Sequence, residues 1–210
     1  MSNEKKMRGA IETRAAFVKR NLDWWRRNRQ DRRPFYQKFL KAVNLPKRIK
    51  SKNWIIGEVG PGPYGGILGM YQWPAYEYYF IDYMMEELLT LNGCEWPHPS
   101  RFVTTPAEDM PLITNRLDVL ISYNTLDHGW DVWKVLQECV RVSRRCYVSF
   151  DCRGDNPKHC RPGDIDHAQH IKFAEVQKFV GKTFNRHPVH EVFDLKSKEY
   201  PVAVVIVEKE

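Results

Sequence analysis

A short apolar run that ends in a cluster of glycines and prolines constrains this chain more than any other feature. Trp54-Ile55-Ile56-Gly57-Glu58-Val59 leads directly into Gly60-Pro61-Gly62-Pro63-Tyr64-Gly65-Gly66. The run has the length and apolarity of a buried strand, and the turn residues behind it let the backbone approach a ligand closely. Gly65 and Gly66 fall where a helix is expected to begin, which would present free amide donors and the positive end of a helix dipole. A glycine turn between a strand and a helix is the context that a nucleotide-binding fingerprint requires.

The remainder of the chain repeats the alternation. Tyr78–Ile81 reads as a second strand ending at Asp82, with a helix over Met84–Leu91. Arg101–Val103 reads as a weak third strand and Leu117–Ser122 as a fourth. A helix over Val132–Val142 follows, and Cys146–Phe150 reads as a fifth strand. Short apolar strands alternating with helices pair in parallel and are buried on both faces. The tail changes character: a helix over Phe173–Thr183 precedes two extended runs, Val189–Leu195 and Val202–Val207. The short polar link between those runs predicts an antiparallel hairpin. The expected fold is therefore α/β: a doubly wound, mostly parallel seven-stranded sheet with an antiparallel terminal hairpin, plus basic N-terminal helices.

Those helices are expected between Arg8 and Val43, with Ala15, Val18, Leu22 and Trp25 on one apolar face and a break at Pro34. A polar connector follows from Leu45 to Lys52, so the sequence divides into an extension over residues 1–50 and a domain over 51–210. The net charge of +7 is unevenly spread. Residues 1–50 hold 16 basic and 4 acidic side chains, a balance of +12, and the remainder holds 17 and 22, a balance of −5. High basicity is thus a property of the extension alone. The five cysteines are odd in number and scattered, which points to reduced thiols rather than a disulfide framework. No apolar run is long enough to span a bilayer, and the first residues lead into no apolar stretch, so a cytoplasmic location is expected.

Asp82 stands 24 residues beyond Glu58. An acid at the carboxyl end of the second strand, at about that distance from a glycine turn, can accept the two ribose hydroxyls of a bound nucleoside. The plainer reading is an N-cap for the helix that follows.

Glu58-Val59-Gly60-Pro61-Gly62 with Asp82 resembles the opening of the class I S-adenosylmethionine-dependent methyltransferases. Pro106-Ala107-Glu108-Asp109-Met110-Pro111 resembles that family's adenine loop after the third strand, and Leu117 to His128 resembles its fourth strand and following loop. Val135–Val142 resembles the helix that in the family runs into a Leu-Lys-Pro-Gly-Gly turn, which Ser143-Arg144-Arg145 replaces here. The likeness covers about residues 54–208, and it implies S-adenosyl-L-methionine as cofactor. Glu58, Gly60, Gly62 and Gly65 would surround the methionine portion, Asp82 the ribose, and Ala107 and Glu108 the adenine. Asn124 would contact the cofactor from below. Glu108 and Asp109 could equally be solvated loop acids. His128 would lie beside the transferable methyl as a proton acceptor oriented by Asp127, unless the pair caps the next helix.

The implied activity is methyl transfer, most naturally to oxygen of a small molecule or glycan. The sequence has neither an Asn/Asp-Pro-Pro-Tyr/Phe motif after the fourth strand nor a Pro-Cys nucleophile, which argues against methylation of nucleic-acid bases. RNA or protein acceptors, a basic binding module that has lost catalysis, and a nicotinamide oxidoreductase are the competing readings. Arg26, Arg27, Arg29, Arg32 and Arg33 with Trp24, Trp25 and Phe35 could cover the substrate side and grip a phosphate, an acidic glycan or RNA, or form a solvated face. Cys152, His159, Cys160 and His167 match no structural zinc spacing, and magnesium on the nearby aspartates has no firmer basis, so no metal is expected.

Overall fold

The computed structural model describes residues 14–27, 32–45, 49, 52–71, 73–91, 96–156, 170–184, 191–193 and 202–209. The chain divides into two units, Met1–Arg32 and Arg33–Glu210. The first contains helix α1 (Arg14–Arg27), in which Val18 is buried and the Arg27 Nε–H donates to the carbonyl of Asp23.

The second unit opens with α2 (Arg33–Val43). Pro34 is its second residue, a position where the missing amide hydrogen is of no consequence, so the proline starts this helix as the expected break requires. Phe39, Leu40 and Val43 are buried on one face. That burial assigns α2 to the sheet unit, and the boundary between units lies ahead of the polar connector at residues 45–52.

One sheet runs in the order β3-β2-β1-β4-β5-β7-β6. Its strands are β1 (Ile55–Val59), β2 (Glu77–Asp82), β3 (Ser100–Thr104), β4 (Leu117–Tyr123), β5 (Ser143–Asp151), β6 (Glu191–Phe193) and β7 (Val202–Glu208). β1 to β5 are mutually parallel, β7 is antiparallel to β5, and β6 is antiparallel to β7. The expected antiparallel end of the sheet is present; its connection over 194–201 lies outside the described residues. The helices are α3 (Gly66–Tyr71), α4 (Met85–Leu88), α5 (Val132–Val142) and α6 (Phe173–Phe184).

Burial explains the apolar runs. Ile56 to Val59, Glu77 to Ile81 and Val202 to Val207 are buried residue after residue, as interior strands covered on both faces must be. α5 supplies Val132, Val135, Leu136, Cys139, Val140 and Val142 to the same core as Leu120, Val148 and Val205. β3, at one edge, leaves Phe102 partly exposed against Phe80 and Trp96.

Two boundaries differ from the sequence expectation, each for a local reason. α4 is only one turn of α-helix, and the chain continues through tighter bonds from Thr90 to Glu87 and Leu91 to Leu88. β5 begins at Ser143, directly where α5 ends. No glycine turn is needed, because other groups satisfy the last helical carbonyls. The Ser143 hydroxyl donates to Cys139 O (2.6 Å), and the Asn115 N–H donates to Arg141 O (2.9 Å).

The connectivity places β1 between β2 and β4, so the chain leaves β1 on one side and returns on the other. Ligands of open α/β sheets bind at that switch point, outside the carboxyl ends of the strands. The loops there follow Val59, Asp82, Thr104 and Tyr123.

Candidate functional site

The glycine turn is built as a short 3-10 segment, Gly62–Tyr64, between β1 and α3. Gly60, Gly62, Gly65 and Gly66 all have positive φ, between 61° and 73°. At Gly60 a side chain would also run into Thr125, and at Gly66 into the Glu58 carboxyl group, so both positions demand glycine on two counts.

Glu58 occupies the space that Gly66 leaves. Its Oε1 accepts from the Ile67 N–H and its Oε2 from the Leu68 N–H, both at 2.9 Å. The side chain is 2% exposed, and burial pushes its pKa up from 4.5 to about 7 against the opposing pull of the two amides. Glu58 therefore holds the first turn of α3 against the end of β1. The amides at the start of α3 include two that Glu58 already satisfies, so the open part of the turn is Gly60 to Gly65.

Asp82 ends β2 half-buried. Its Oδ1 accepts from the Met84 N–H (2.8 Å), while Met84 itself stands at the N-cap of α4 without a side-chain bond. Asp82 thus forms a tight turn and does not cap the helix. Burial first, then Glu87, raises its pKa from 3.8 to about 6; the Met84 amide and His128 pull the other way. The influence of His128 puts the β4 loop within electrostatic reach of Asp82.

Glu108, 9% exposed, faces that same loop. Its Oε1 accepts from the Trp130 N–H (2.6 Å) and the Asp131 N–H (3.2 Å). It is not a solvated loop acid; it ties the loop after β3 to the loop after β4. Ala107, next to it, packs against the apolar core. Asp109 is exposed, as a solvated acid would be.

The loop after β4 begins at Asn124, whose φ of 54° is left-handed. Its N–H donates to Ser149 O (2.8 Å), and its Oδ1 is buried with no hydrogen-bond partner among the described residues. Thr125 follows, with its hydroxyl 3.2 Å from Tyr123 O and 3.4 Å from Gly60 O. The sequence offers no signal for this link between the glycine turn and the β4 loop. A 3-10 turn, Leu126–His128, then separates two adjacent side chains. Asp127 is buried and contributes to raising the Cys152 thiol, whereas His128 is exposed. Neither caps the next helix: Asp131 Oδ1 does so, accepting from the Trp133 and Lys134 amides at 3.1 Å. An aspartate immediately before the apolar run of α5 was a readable sign of that cap.

The candidate residues Glu58, Gly60, Gly62, Gly65, Asp82, Ala107, Glu108, Asn124, Asp127 and His128 all lie on the loops or strand ends at this one margin of the sheet. Of the remaining candidates, Cys152 directly follows the carboxyl end of β5. Cys152 is buried, and burial with Asp155 beside it pushes its thiol up to about 12, which leaves it protonated and a poor metal ligand. His159, Cys160 and His167 lie outside the described residues, as does Arg29. Among the described residues no cluster of three His, Cys, Asp or Glu side chains could hold a metal, and no helix is long and apolar enough to cross a membrane.

The donor set tests what could sit here. A half-buried carboxylate with one oxygen engaged, an unsatisfied buried amide oxygen and a turn with left-handed glycines at Gly60, Gly62 and Gly65 suit a ligand with hydroxyl donors and a compact cationic centre. They suit a nucleoside joined to a sulfonium.

Comparison with known proteins agrees. Residues 58–145 match the family model of a methyltransferase domain. Among solved structures, the chain is similar to magnesium protoporphyrin IX methyltransferase from Synechocystis with bound S-adenosylhomocysteine. There the identity is 17% and the TM-score 0.63, over 94% of this chain and 98% of that one. It is similar to 1,6-didemethyltoxoflavin-N1-methyltransferase from Burkholderia thailandensis at 13% identity and a TM-score of 0.64, over 100% and 91%. The YcgJ protein of Bacillus subtilis gives 13% identity and a TM-score of 0.63, over 83% and 99%. At such identities these likenesses speak for the fold. No curated protein matches the sequence.

Proposed function

We propose that this chain, a class I S-adenosylmethionine-dependent methyltransferase, transfers its methyl group to an oxygen of a small molecule or glycan. The observation that carries the reading is the convergence at the switch point. Asp82, the glycine turn and the buried Asn124 oxygen meet there, with exposed His128 on the adjoining loop.

When bound, the cofactor supplies an electrophilic methyl on a sulfonium. The residues of the chain bind and orient. Asp82 accepts ribose hydroxyls through the oxygen not engaged by Met84. Glu58 acts one step removed, by fixing the start of α3 and so the path of Gly60 to Gly65. Glu108 holds the loop that carries His128, and Ala107 offers a small apolar surface for the adenine. Asn124 supplies an acceptor from the β4 side. His128 takes the proton from the acceptor hydroxyl at an imidazole nitrogen. Asp127, buried in the same 3-10 turn, is the side chain proposed to orient that imidazole. Alignment of acceptor and methyl provides most of the acceleration, and the base adds to it.

Small-molecule acceptors have support in the solved relatives, which are named for porphyrin and toxoflavin substrates. The basic extension, with a balance of +12 over residues 1–50, is the observation behind a second reading, an RNA- or protein-directed enzyme. Incubating the full chain with methyl-labelled cofactor and separated small-molecule, glycan, RNA and protein fractions decides between them. Label in base-stable O-methyl products of the first two fractions supports the proposal. Label confined to RNA or protein overturns it, and tight cofactor binding without any transfer would favour a non-catalytic module.

A further inference from the structure

The end of the sheet opposite the candidate site has a charge character of its own. Residues 51–210 carry a balance of −5. Yet the amino ends of the parallel strands, the end of β7 and their flanking loops gather Lys52, Arg101, Arg116, Arg144, Arg145 and Lys209. Against these six cations stand the three carboxylates Glu77, Asp118 and Glu208, which leaves +3 among the described residues. Arg101 and Arg116 share the buried Glu77, and Arg116 also donates to the Tyr79 hydroxyl (2.9 Å). The Arg145 guanidinium lies 4.8 Å from the centre of the Trp54 ring. Lys209 donates from Nζ to Asn115 Oδ1 (2.7 Å) and from its backbone N–H to Arg144 O (2.8 Å). The side chains of Arg101 and Arg144 nevertheless remain 63% and 66% exposed. Two large apolar side chains stand among these cations. Ile113 is 75% exposed, at a turn closed by the Arg116 N–H donating to Ile113 O (3.2 Å), and Tyr76 is 65% exposed just ahead of Glu77. The ion pair between Arg116 and Glu77 joins those two loops.

We propose that this margin docks on an anionic lipid bilayer, with Ile113 and Tyr76 entering the headgroup layer and the cations meeting the lipid phosphates. The inference is independent of the choice of methyl acceptor. An aliphatic side chain gains by leaving water for the acyl boundary, and a tyrosine ring suits the headgroup level. Each neighbouring Lys or Arg is drawn by the negative surface potential of the bilayer. Neither signal is strong alone, and attachment needs the apolar and the electrostatic attraction together, which this margin combines. Single-stranded RNA fits less well. It requires open ring faces on which bases stack, whereas Ile113 has none and Arg145 already covers a face of Trp54. Docking by the amino ends of the strands turns their carboxyl ends, and with them the candidate site, toward the aqueous side.

Cosedimentation of the full chain with vesicles tests this, using phosphatidylcholine alone and equal parts of phosphatidylcholine and phosphatidylglycerol. Wild type is expected to bind the mixed vesicles and to leave the neutral ones. The double variant Arg101→Gln/Arg144→Gln should weaken that binding by about 25-fold, on a scale of about fivefold for each cation lost. Ile113→Ser should weaken it by roughly tenfold, and Leu89→Ser, which alters an exposed apolar residue after α4, should bind as wild type does. The altered side chains are exposed, so thermal unfolding of every variant should match wild type. Residues 1–50, with their balance of +12, are the alternative source of vesicle binding. Binding unchanged in both the double variant and Ile113→Ser would assign it to that extension and overturn the proposal. Wild type that ignores the mixed vesicles also overturns it. So does a loss of polyuridylate binding in the double variant with vesicle binding intact, which would make this margin an RNA surface.

Discussion

Glu58 and Asp82 do different work, although each is an acid beside the cofactor site. Glu58 is internal, bonded to two amides, and its pKa rises from 4.5 to about 7; Asp82 rises from 3.8 to about 6. In both cases the folded state holds a proton more tightly than the unfolded chain. Stability from these groups is therefore full below about pH 4 and lost as pH rises toward 7. For Glu58 the loss is on the order of a few kcal/mol. Urea midpoints of the unliganded chain are expected to fall between pH 5 and pH 7.5, and Glu58→Gln, which cannot ionise, should show a shallower dependence. Affinity for the cofactor runs the opposite way. It requires Asp82 as a carboxylate, so the dissociation constant of S-adenosylmethionine should drop by about tenfold between pH 5 and pH 7. An affinity indifferent to pH in that window would argue against Asp82 as the ribose acceptor. His128 is judged by rate: His128→Ala should lower kcat by roughly 100-fold or more and leave the cofactor dissociation constant unchanged.

At the scale of elements, the turn between β1 and α3 is the least forgiving part of the molecule. Gly66→Ala would push a methyl group into the Glu58 carboxyl group at a φ of 61°, and is expected to destabilise the fold by about 2–3 kcal/mol and to weaken cofactor binding. Phe39 on α2 is fully buried, with its ring 5.5 Å from that of Tyr123 at the end of β4. Phe39→Ala should cost about 3–5 kcal/mol in chemical denaturation, which would confirm α2 as part of the sheet unit rather than of the basic extension. The interior strands of this unit were legible because both faces of the sheet are buried there and each carries an apolar run, whereas edge strand β3 is largely exposed and reads weakly. The end of α5 was less so. Its carbonyls find partners in Ser143 and Asn115, and no local rule announces the bond from Asn115 to Arg141, far along the chain. The candidate site divides in the same manner. The turn glycines and Asp82 follow from position relative to a strand. The direction in which Glu58, Glu108 and Asp127 point does not, since a buried acid aimed at a neighbouring loop has the same sequence as one aimed at a ligand.

For the molecule as a whole, basicity is concentrated ahead of the strands: residues 1–50 carry a balance of +12 and residues 51–210 one of −5. The sheet unit carries every residue assigned here to the cofactor, and the connectivity around β1 gathers them from sequence positions 58 to 124 onto one margin. That gathering makes ligand binding and global stability two readings of the same arrangement. Cofactor at a hundredfold excess over its dissociation constant should stabilise the full chain by about 2.7 kcal/mol, visible as a rise in Tm. The most direct test of the account is calorimetric titration of S-adenosylmethionine into wild type and Asp82→Ala at pH 7.5. The account predicts one saturable site in wild type and a loss of roughly 100-fold or more in the variant, with the variant still folded. No binding by wild type, or equal binding by both, would contradict it.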